Sequence, residues 1–500
     1  MTTLYNPLIP GFNPDPSIVA VDGAYYLATS TFEYLPGIPI YRSTDLETWT
    51  RIGNVITTPE QAGLREIPTN GGVWAPTIRH RDGRFHVIVT IAMGRGCMVY
   101  TAEDPAGPWT GVHVEGIEGV DPDLAWDEDG TAIVTYSGLV TTGPDVGHHG
   151  GIRQVDVDLA TGEVLAGPRD LWSGGGGIFP EAPHLYHRGD AWYLMIAEGG
   201  TEHGHGVSIA RSAAARGPFE PGPANPILTA RSTDRPIQNT GHGDLVETPE
   251  GTVMVLLGVR PRGATRAFSA LGRETFATRV HWGEDGWPTA DPVLLNPRSA
   301  TTEEVWDYAA PLDPGWLAIR RAPAEIVDTA TTPDVLALRA DGSTLGDLAP
   351  VFLGRRQLTQ SMSATVTVDA AHGVGGIAVR YDEENVYSIS ARGAGERTIV
   401  TADARVPGIA QSWTGEFAAG PLELELRSVR PEGAVFVHLL TSDLVELVVR
   451  HDGTETVLAS VDARYLSAET AASFTGRVVG VFATAGEVVF SPIRYRGSED

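Results

Sequence analysis

The amino-acid sequence predicts an all-β chain, a five-bladed β-propeller followed by a C-terminal β-sandwich. Three observations lead there. Gly (59) and Pro (35) are spread densely through 500 residues, the punctuation of many short elements. A turn-and-strand unit recurs five times before about residue 302. Beyond that point the rhythm changes to alternating strands.

The five units are VDGAYYLATST from Val21, RDGRFHVIVTI from Arg81, EDGTAIVTYSG from Glu128, RGDAWYLMIAE from Arg188 and PEGTVMVLLGV from Pro249. Each pairs an acidic residue with Gly at a turn, then continues as a strand of aromatic and branched residues, which is a hairpin signal. The turn glycines are Gly23, Gly83, Gly130, Gly189 and Gly251, spaced by 60, 47, 59 and 62 residues. Such near-regular recurrence predicts one inner hairpin per propeller blade. STDLETW (43–49), AEDPAGPW (102–109) and ARSAAARGPF (210–219) echo it, each setting an aromatic after a turn at a similar offset. Coincidental turns in a sandwich would not reproduce both hairpin and echo.

After the propeller, expected over 1–302, TTEEVWDYAAPLDPGWLAIRRAP (301–323) reads as a linker into a second unit over 303–500. That unit carries strands such as SATVTVDA (363–370) and LELELRS (422–428). In the latter, Leu422, Leu424 and Leu426 share one face, and Glu423, Glu425 and Arg427 take the other. Nine or so such runs predict a jelly-roll-like β-sandwich. Only ARYLSAETAAS (463–473) has helical character.

The bulk composition narrows the function. The chain is 42% apolar and 20% charged, enough for a sizeable core. A net charge of −27 argues against nucleic acid and anionic membranes as partners, and a neutral small ligand fits better. The single cysteine, Cys97, excludes a disulfide framework and a cysteine-based metal site. MTTLYNPLIPGF lacks the basic and apolar regions of a secretory signal, and no apolar run approaches the ~18 residues that span a membrane. A soluble, cytoplasmic protein is expected.

A propeller gathers function at one mouth of its channel, so acids beside innermost strands of different blades are the candidates. Asp15 in NPDPS, Asp121 in GVDPDLAW and Glu181 in FPEAPHLY each have a nearby proline and precede a turn glycine by 8, 9 and 8 residues. Seen alone, each would read as a turn or loop residue. Asp123 competes with Asp121.

These stretches resemble glycoside hydrolase family 43, in its two-domain β-xylosidase and α-L-arabinofuranosidase branch. The resemblance rests on GFNPDPSIV, STFEYLPGIPIYRSTDLETW, GGVWAPTIRH, GVDPDLAWDEDG, EAPHLY with AEGGTEHGHG, NTGHGDLVE and LGRETF, in order over residues 6–280. FLGRRQ (352–357) and VFSPIRYRG extend it into the second domain. It implies that Asp15 is the general base, Glu181 the general acid and Asp121 the acid that orients Glu181 and tunes its proton affinity. An Asp at 123, where the family has a small residue, departs mildly from the pattern. The family inverts configuration, which requires two carboxyl groups flanking the sugar at about 6.5–9.5 Å. Pro14 and Pro16 would restrain Asp15 as it positions a water.

The resemblance also implies a sugar pocket. Phe32 and Trp74 would form its apolar walls, Arg273 would reach substrate hydroxyls, and Phe474 would sit on a loop lent by the second domain. Taken alone, Phe32 and Trp74 would each more often be core residues. His242 resembles a histidine that neighbours a cation such as calcium in some members. Calcium prefers oxygen, so a water-mediated role or a hydrogen bond to the catalytic acids is expected instead. EHGHG (202–206) and the pair His148 and His149 lack the context of a zinc site. No cofactor is expected to be required.

The function implied is an exo-acting, inverting glycosidase that removes terminal β-1,4-linked xylose from small oligosaccharides, with side activity on α-L-arabinofuranosides. Primary arabinofuranosidase activity, a retaining fructan-active enzyme and a non-catalytic carbohydrate-binding propeller are the alternatives. Homo-oligomers are common in such a family, but the sequence carries no interface signature.

Overall fold

The computed structural model describes every residue except 1, 264–266, 328–330, 432, 434–441 and 500. Five antiparallel sheets form the propeller. Their innermost strands are Ser17–Val21, Thr77–Arg81, Gly119–Trp126, Glu181–Arg188 and Gln238–Thr248. Each packs against its neighbours around the axis, and the fifth packs against the first. The five turn glycines all join an innermost strand to the second strand of its blade. Asp22 with Gly23, and Asp82 with Gly83, have positive φ, as a two-residue turn matching the strand twist needs. The three echo segments run from third to fourth strands of their blades, as in STDLETW, where Asp45 Oδ1 accepts from Glu47 N and Thr48 N at 2.8 and 2.7 Å.

The ring closes through the chain's beginning. Leu8 N donates to Thr275 O at 2.8 Å. The Asn6 amide donates to Ala277 O at 2.9 Å and accepts from Ala277 N at 2.8 Å. A side chain thus substitutes for a ladder pair and fixes the first residues on the fifth blade.

The second unit is one twelve-stranded sheet folded over a single core. Its long strand Ser361–Arg380 pairs with four others, and irregular register between Asp369 and His372 lets it turn from one layer into the next. Leu422, Leu424 and Leu426 are buried in that core as the alternation predicts. Glu425, expected on the outer face, is buried as well, because Arg450 Nη2 covers it at 2.5 Å.

The segment read as a linker is structural. Thr301–Trp306, which straddles the expected 302/303 boundary, pairs with the terminal strand Ile493–Ser498. Trp306, Tyr308 and Trp316 enter the sandwich core. Ala318–Ile319 then pairs with Tyr34–Leu35 of the propeller, so one short stretch is woven into both units. Phe12, Phe32, Tyr34, Ile319, Phe352 and Phe482 pack into a shared interface core. Each such side chain, fully buried, contributes roughly 1.5–3 kcal/mol, which holds the two units in fixed register.

The helical expectation at 463–473 corresponds to a 3-10 turn, Ala463–Tyr465, and a helix, Ala468–Ala471. A further helix, Pro59–Ala62, was not anticipated, although Thr58 before it, Pro59 at its start and Gly63 after it are boundary signals.

Candidate active site

Residues at the entry of every innermost strand line one cavity of about 210 Å3. They are Asp15, Trp74, Asp121, Glu181 and His242, one from each blade in chain order. The strands are not regular there. Register breaks between Val120 and Asp123, between Glu181 and His184, and between Gly241 and Asp244. Asp15, Asp121, Ala182 and His242 have φ of 56, 53, 49 and 51°. Left-handed backbone at non-glycine residues costs of order 1–3 kcal/mol and persists where the surroundings impose it. These bulges turn the entry residues into the cavity and the following residues downward.

Those following residues form a second tier below the cavity. Arg79 Nη2 donates to Asp123 Oδ1 at 2.7 Å, and its Nη1 donates to Asp244 Oδ2 at 2.8 Å. Ser17 Oγ donates to Asp244 Oδ2 at 2.6 Å, and His184 Nδ1 lies 3.0 Å from Arg79 Nη2. The channel is therefore plugged by a charge-paired network drawn from all five blades. Asp123 belongs to this plug: it is fully buried, and its Oδ2 accepts from Leu185 N at 2.8 Å. Of the two candidates, Asp121 is the one that lines the cavity.

Two donors converge on Asp15, Ser30 Oγ at 2.5 Å and Arg273 Nη1 at 3.0 Å. His242 Nδ1 stands 3.6 Å from Asp15 Oδ1, a close approach beyond hydrogen-bond length. Burial pushes His242 down to about 3, so the ring is neutral at neutral pH. Asp121 Oδ2 accepts from Ala182 N at 3.1 Å. Burial first, then the Asp15 charge, pushes the Asp121 carboxyl up to about 7, against the Ala182 N–H and Arg273. Burial, then Asp121 and Asp15, holds the Glu181 carboxyl well above the usual carboxylate range. At Glu181 desolvation leads, and the like charge of Asp121 adds to it.

Aromatic rings close the cavity. Phe32 and Phe474 stack at 6.0 Å between centroids, and Trp74 meets Phe474 edge-on at 5.6 Å. The Arg273 guanidinium lies 5.6 Å from the Phe32 ring and 5.2 Å from that of Phe474. Phe474 comes from the second unit and is latched to the propeller: Asn70 Oδ1 accepts from Phe474 N at 3.0 Å and Ser473 Oγ at 2.8 Å.

Several lining residues were not singled out from sequence. Thr201, whose Oγ1 accepts from Arg273 Nη1 at 3.2 Å, and Glu202 follow the strand Ala191–Glu198 at the same mouth. His149 Nδ1 lies 3.9 Å from Glu181 Oε2 and 2.8 Å from Ser137 Oγ. Because Ser137 Oγ donates its only proton to Pro180 O at 2.7 Å, His149 Nδ1 must donate to Ser137. That chain fixes the residue before Glu181. The His148–His149 pair was the available signal, weighed above only against zinc.

Among the described residues no group of three or more His, Cys, Asp or Glu could hold a metal ion. Asp15, the acid that approaches His242, is engaged by Arg273. The residues present do not fit a direct calcium cage beside His242. No helix of the described residues is long and apolar enough to cross a membrane.

Residues 4–288 match the model of a family described as glycosyl hydrolases family 43, and residues 307–489 match a β-xylosidase C-terminal concanavalin A-like domain. The chain is 34% identical to a non-reducing end α-L-arabinofuranosidase of Bacteroides ovatus, over 96% of this chain and 91% of that one. It is 30% identical to a xylosidase/arabinosidase of Humicola insolens, over 99% and 98% of the two chains. Among solved structures, a xylan β-1,4-xylosidase of Bacillus halodurans superposes with a TM-score of 0.87 at 26% identity, covering 99% of this chain and 100% of that one.

Proposed function

The chain belongs to glycosyl hydrolase family 43, and on that premise we propose that it removes single terminal β-1,4-linked xylose units from small oligosaccharides with inversion. It is a glycoside hydrolase of all-β, two-domain build. The observation that carries the exo-acting reading is the cavity, about 210 Å3, walled by Phe474 from the second unit. That is below the ~300–1,000 Å3 of pockets for larger ligands, and it suits one pentose.

In the reaction, Asp15 takes a proton from a water as its oxygen bonds to the anomeric carbon. Glu181 gives its proton to the departing glycosidic oxygen on the opposite side. One C–O bond forms as the other breaks, and configuration inverts. What supports Glu181 as the acid is its burial beside Asp121, which keeps its proton on near neutral pH. What supports Asp15 as the base is the pair of donors that fixes its orientation. Phe32 and Trp74 cover the C–H faces of the sugar, and Arg273 and His242 offer polar contacts.

The test is Glu181→Gln assayed on xylobiose, whose leaving group needs a proton. Turnover should fall by about 10²–10⁴-fold while xylose binding persists. Unchanged xylobiose turnover would refute the assignment. Primary α-L-arabinofuranosidase activity is the second reading, favoured by the name of the Bacteroides ovatus relative. The kcat/KM ratio of p-nitrophenyl β-xyloside to α-L-arabinofuranoside decides between them.

A further inference from the structure

A second, larger cleft lies between the first blade and the sandwich, away from the catalytic cavity, with a volume of about 690 Å3. That is within the ~300–1,000 Å3 usual for ligand sites. Its walls carry guanidinium groups with unused donors. Arg51 Nε and Nη2 are buried and have no hydrogen-bond partner among the described residues. Arg356 is 5% exposed; its Nε donates to Phe12 O at 2.6 Å and its guanidinium lies 4.4 Å from the Phe12 ring, but Nη2 has no hydrogen-bond partner among the described residues. Leaving buried N–H groups unpaired is costly, and more so when they are charged.

The acids of the cleft do not meet this need. Asp313 pairs with Arg355 at 3.0 Å, and Glu499 pairs with Arg260. Glu304 accepts from Trp306 Nε1 at 2.7 Å, and Glu47 accepts from Thr3 N at 3.2 Å. Burial, with repulsion from Arg356 and Arg355, outweighs what Tyr41 and Asp313 offer in the other direction and pushes Arg51 down to about 10. In a chain of net charge −27, a desolvated guanidinium that makes no ion pair among the described residues is an unusual feature. Its natural complement is an oxyanion, and arginine's planar fork matches a carboxylate in two bonds. Tyr41, the cross-strand partner of Arg51, and Trp49 line the same cleft with aromatic surface suited to a sugar ring.

We propose that this cleft is a second binding site for a carboxylate-bearing sugar, a uronic acid, clamped between Arg51 of the propeller and Arg356 of the sandwich. The site stands apart from the catalytic reading: none of its residues lines the catalytic cavity. Occupancy ties the two units together and raises thermal stability in the way any ligand of the native state does. Asn13 also lines the cleft, two residues before Asp15, and its Oδ1 accepts from Tyr41 Oη at 2.9 Å.

Calorimetric titration of the full chain with glucuronate, xylotriose and inorganic phosphate tests this, in saturating xylose to occupy the catalytic cavity. Glucuronate should bind saturably, at least tenfold tighter than either of the others, and raise Tm. Arg51→Met removes a side chain that makes no hydrogen bond, so it should fold and keep its aryl-xyloside turnover while losing at least tenfold in glucuronate affinity. Glucuronate binding no better than xylotriose, or undiminished in Arg51→Met, overturns the proposal. Phosphate binding as tight as glucuronate overturns the sugar part of it. Because hydrolysis is measured separately, failure here leaves the catalytic reading standing, and the reverse holds equally.

Discussion

Arg273 Nη1 lies 3.0 Å from Asp15 Oδ1 while its guanidinium sits near the rings of Phe32 and Phe474. One side chain of the fifth blade thus aims the first blade's carboxylate and braces the aromatic wall. Lysine keeps the charge but cannot hold Asp15, Thr201 and two rings at once. Arg273→Lys should therefore lower kcat/KM by about 10²-fold, the scale on which small misplacement of a catalytic group costs rate. Steady-state kinetics on wild type and variant check it, and a drop under threefold would remove Arg273 from the positioning role.

Asp121 governs the alkaline side of activity. After burial, its negative charge does most to keep the proton on Glu181. Asn at 121 keeps an acceptor for Ala182 N but removes the charge, so Glu181 should ionise at lower pH. The alkaline limb of kcat/KM should move to lower pH. Stability should move as well. The Asp121 carboxyl is raised from 3.8 to about 7, so the folded state binds more protons than the unfolded chain between those values, and stability falls as pH rises through that window. Asp121→Asn should remove part of that fall. Tm measured at pH 4 and pH 8 reads it directly: the wild-type minus variant difference should be more negative at pH 8.

Much of this site was legible in sequence because catalytic and turn residues share one repeating frame. Asp15, Asp121 and Glu181 each stand at nearly the same distance before a turn glycine, and the blades repeat that frame around an axis. Spacing alone did not make the choice between Asp121 and Asp123 legible; the family resemblance favoured Asp121, which is the one that lines the cavity. Two residues apart on a regular strand, they would face the same way. The bulge between Val120 and Asp123 separates them, and nothing local to the sequence announces it. The latch between Asn70 and Phe474 joins residues 404 apart, so only the packing of the two units reveals it. The stretch 301–323 misled for a related reason: it read as a linker where the strand rhythm changes, while Trp306, Tyr308 and Trp316 were already core residues.

The plug beneath the cavity predicts a cost in stability rather than in chemistry alone. Arg79 neutralises Asp123 and Asp244, both with fully buried side chains. Removing one partner of a buried ion pair leaves uncompensated charge, at ~3–5 kcal/mol. Arg79→Met should therefore lower the denaturation midpoint strongly at pH 7. Chemical denaturation compares it with wild type, and a loss under about 1 kcal/mol would mean that the two aspartates are not held as charges.

The second unit's contribution to catalysis is separable from its contribution to folding through Asn70. Its Oδ1 receives both Phe474 N and Ser473 Oγ, and its Nδ2 donates to Ala472 O at 3.2 Å, so three bonds hold the loop that walls the cavity. Asn70→Ala removes them at a residue outside the interface core of Tyr34, Ile319 and Phe352, whose buried centre stays in place although Phe474 packs on its edge. At about 0.5–1.5 kcal/mol net for each bond, the closed position of Phe474 becomes a minority state without unfolding either unit. The cavity then loses one wall of its sugar site, so KM should rise about tenfold while the pH profile, set by Glu181 and Asp121, stays where it was. Phe474→Ala should reproduce the rise in KM with the latch intact. If Asn70→Ala instead lowered kcat and shifted the pH profile with KM unchanged, Phe474 would be acting on the acids rather than on the sugar.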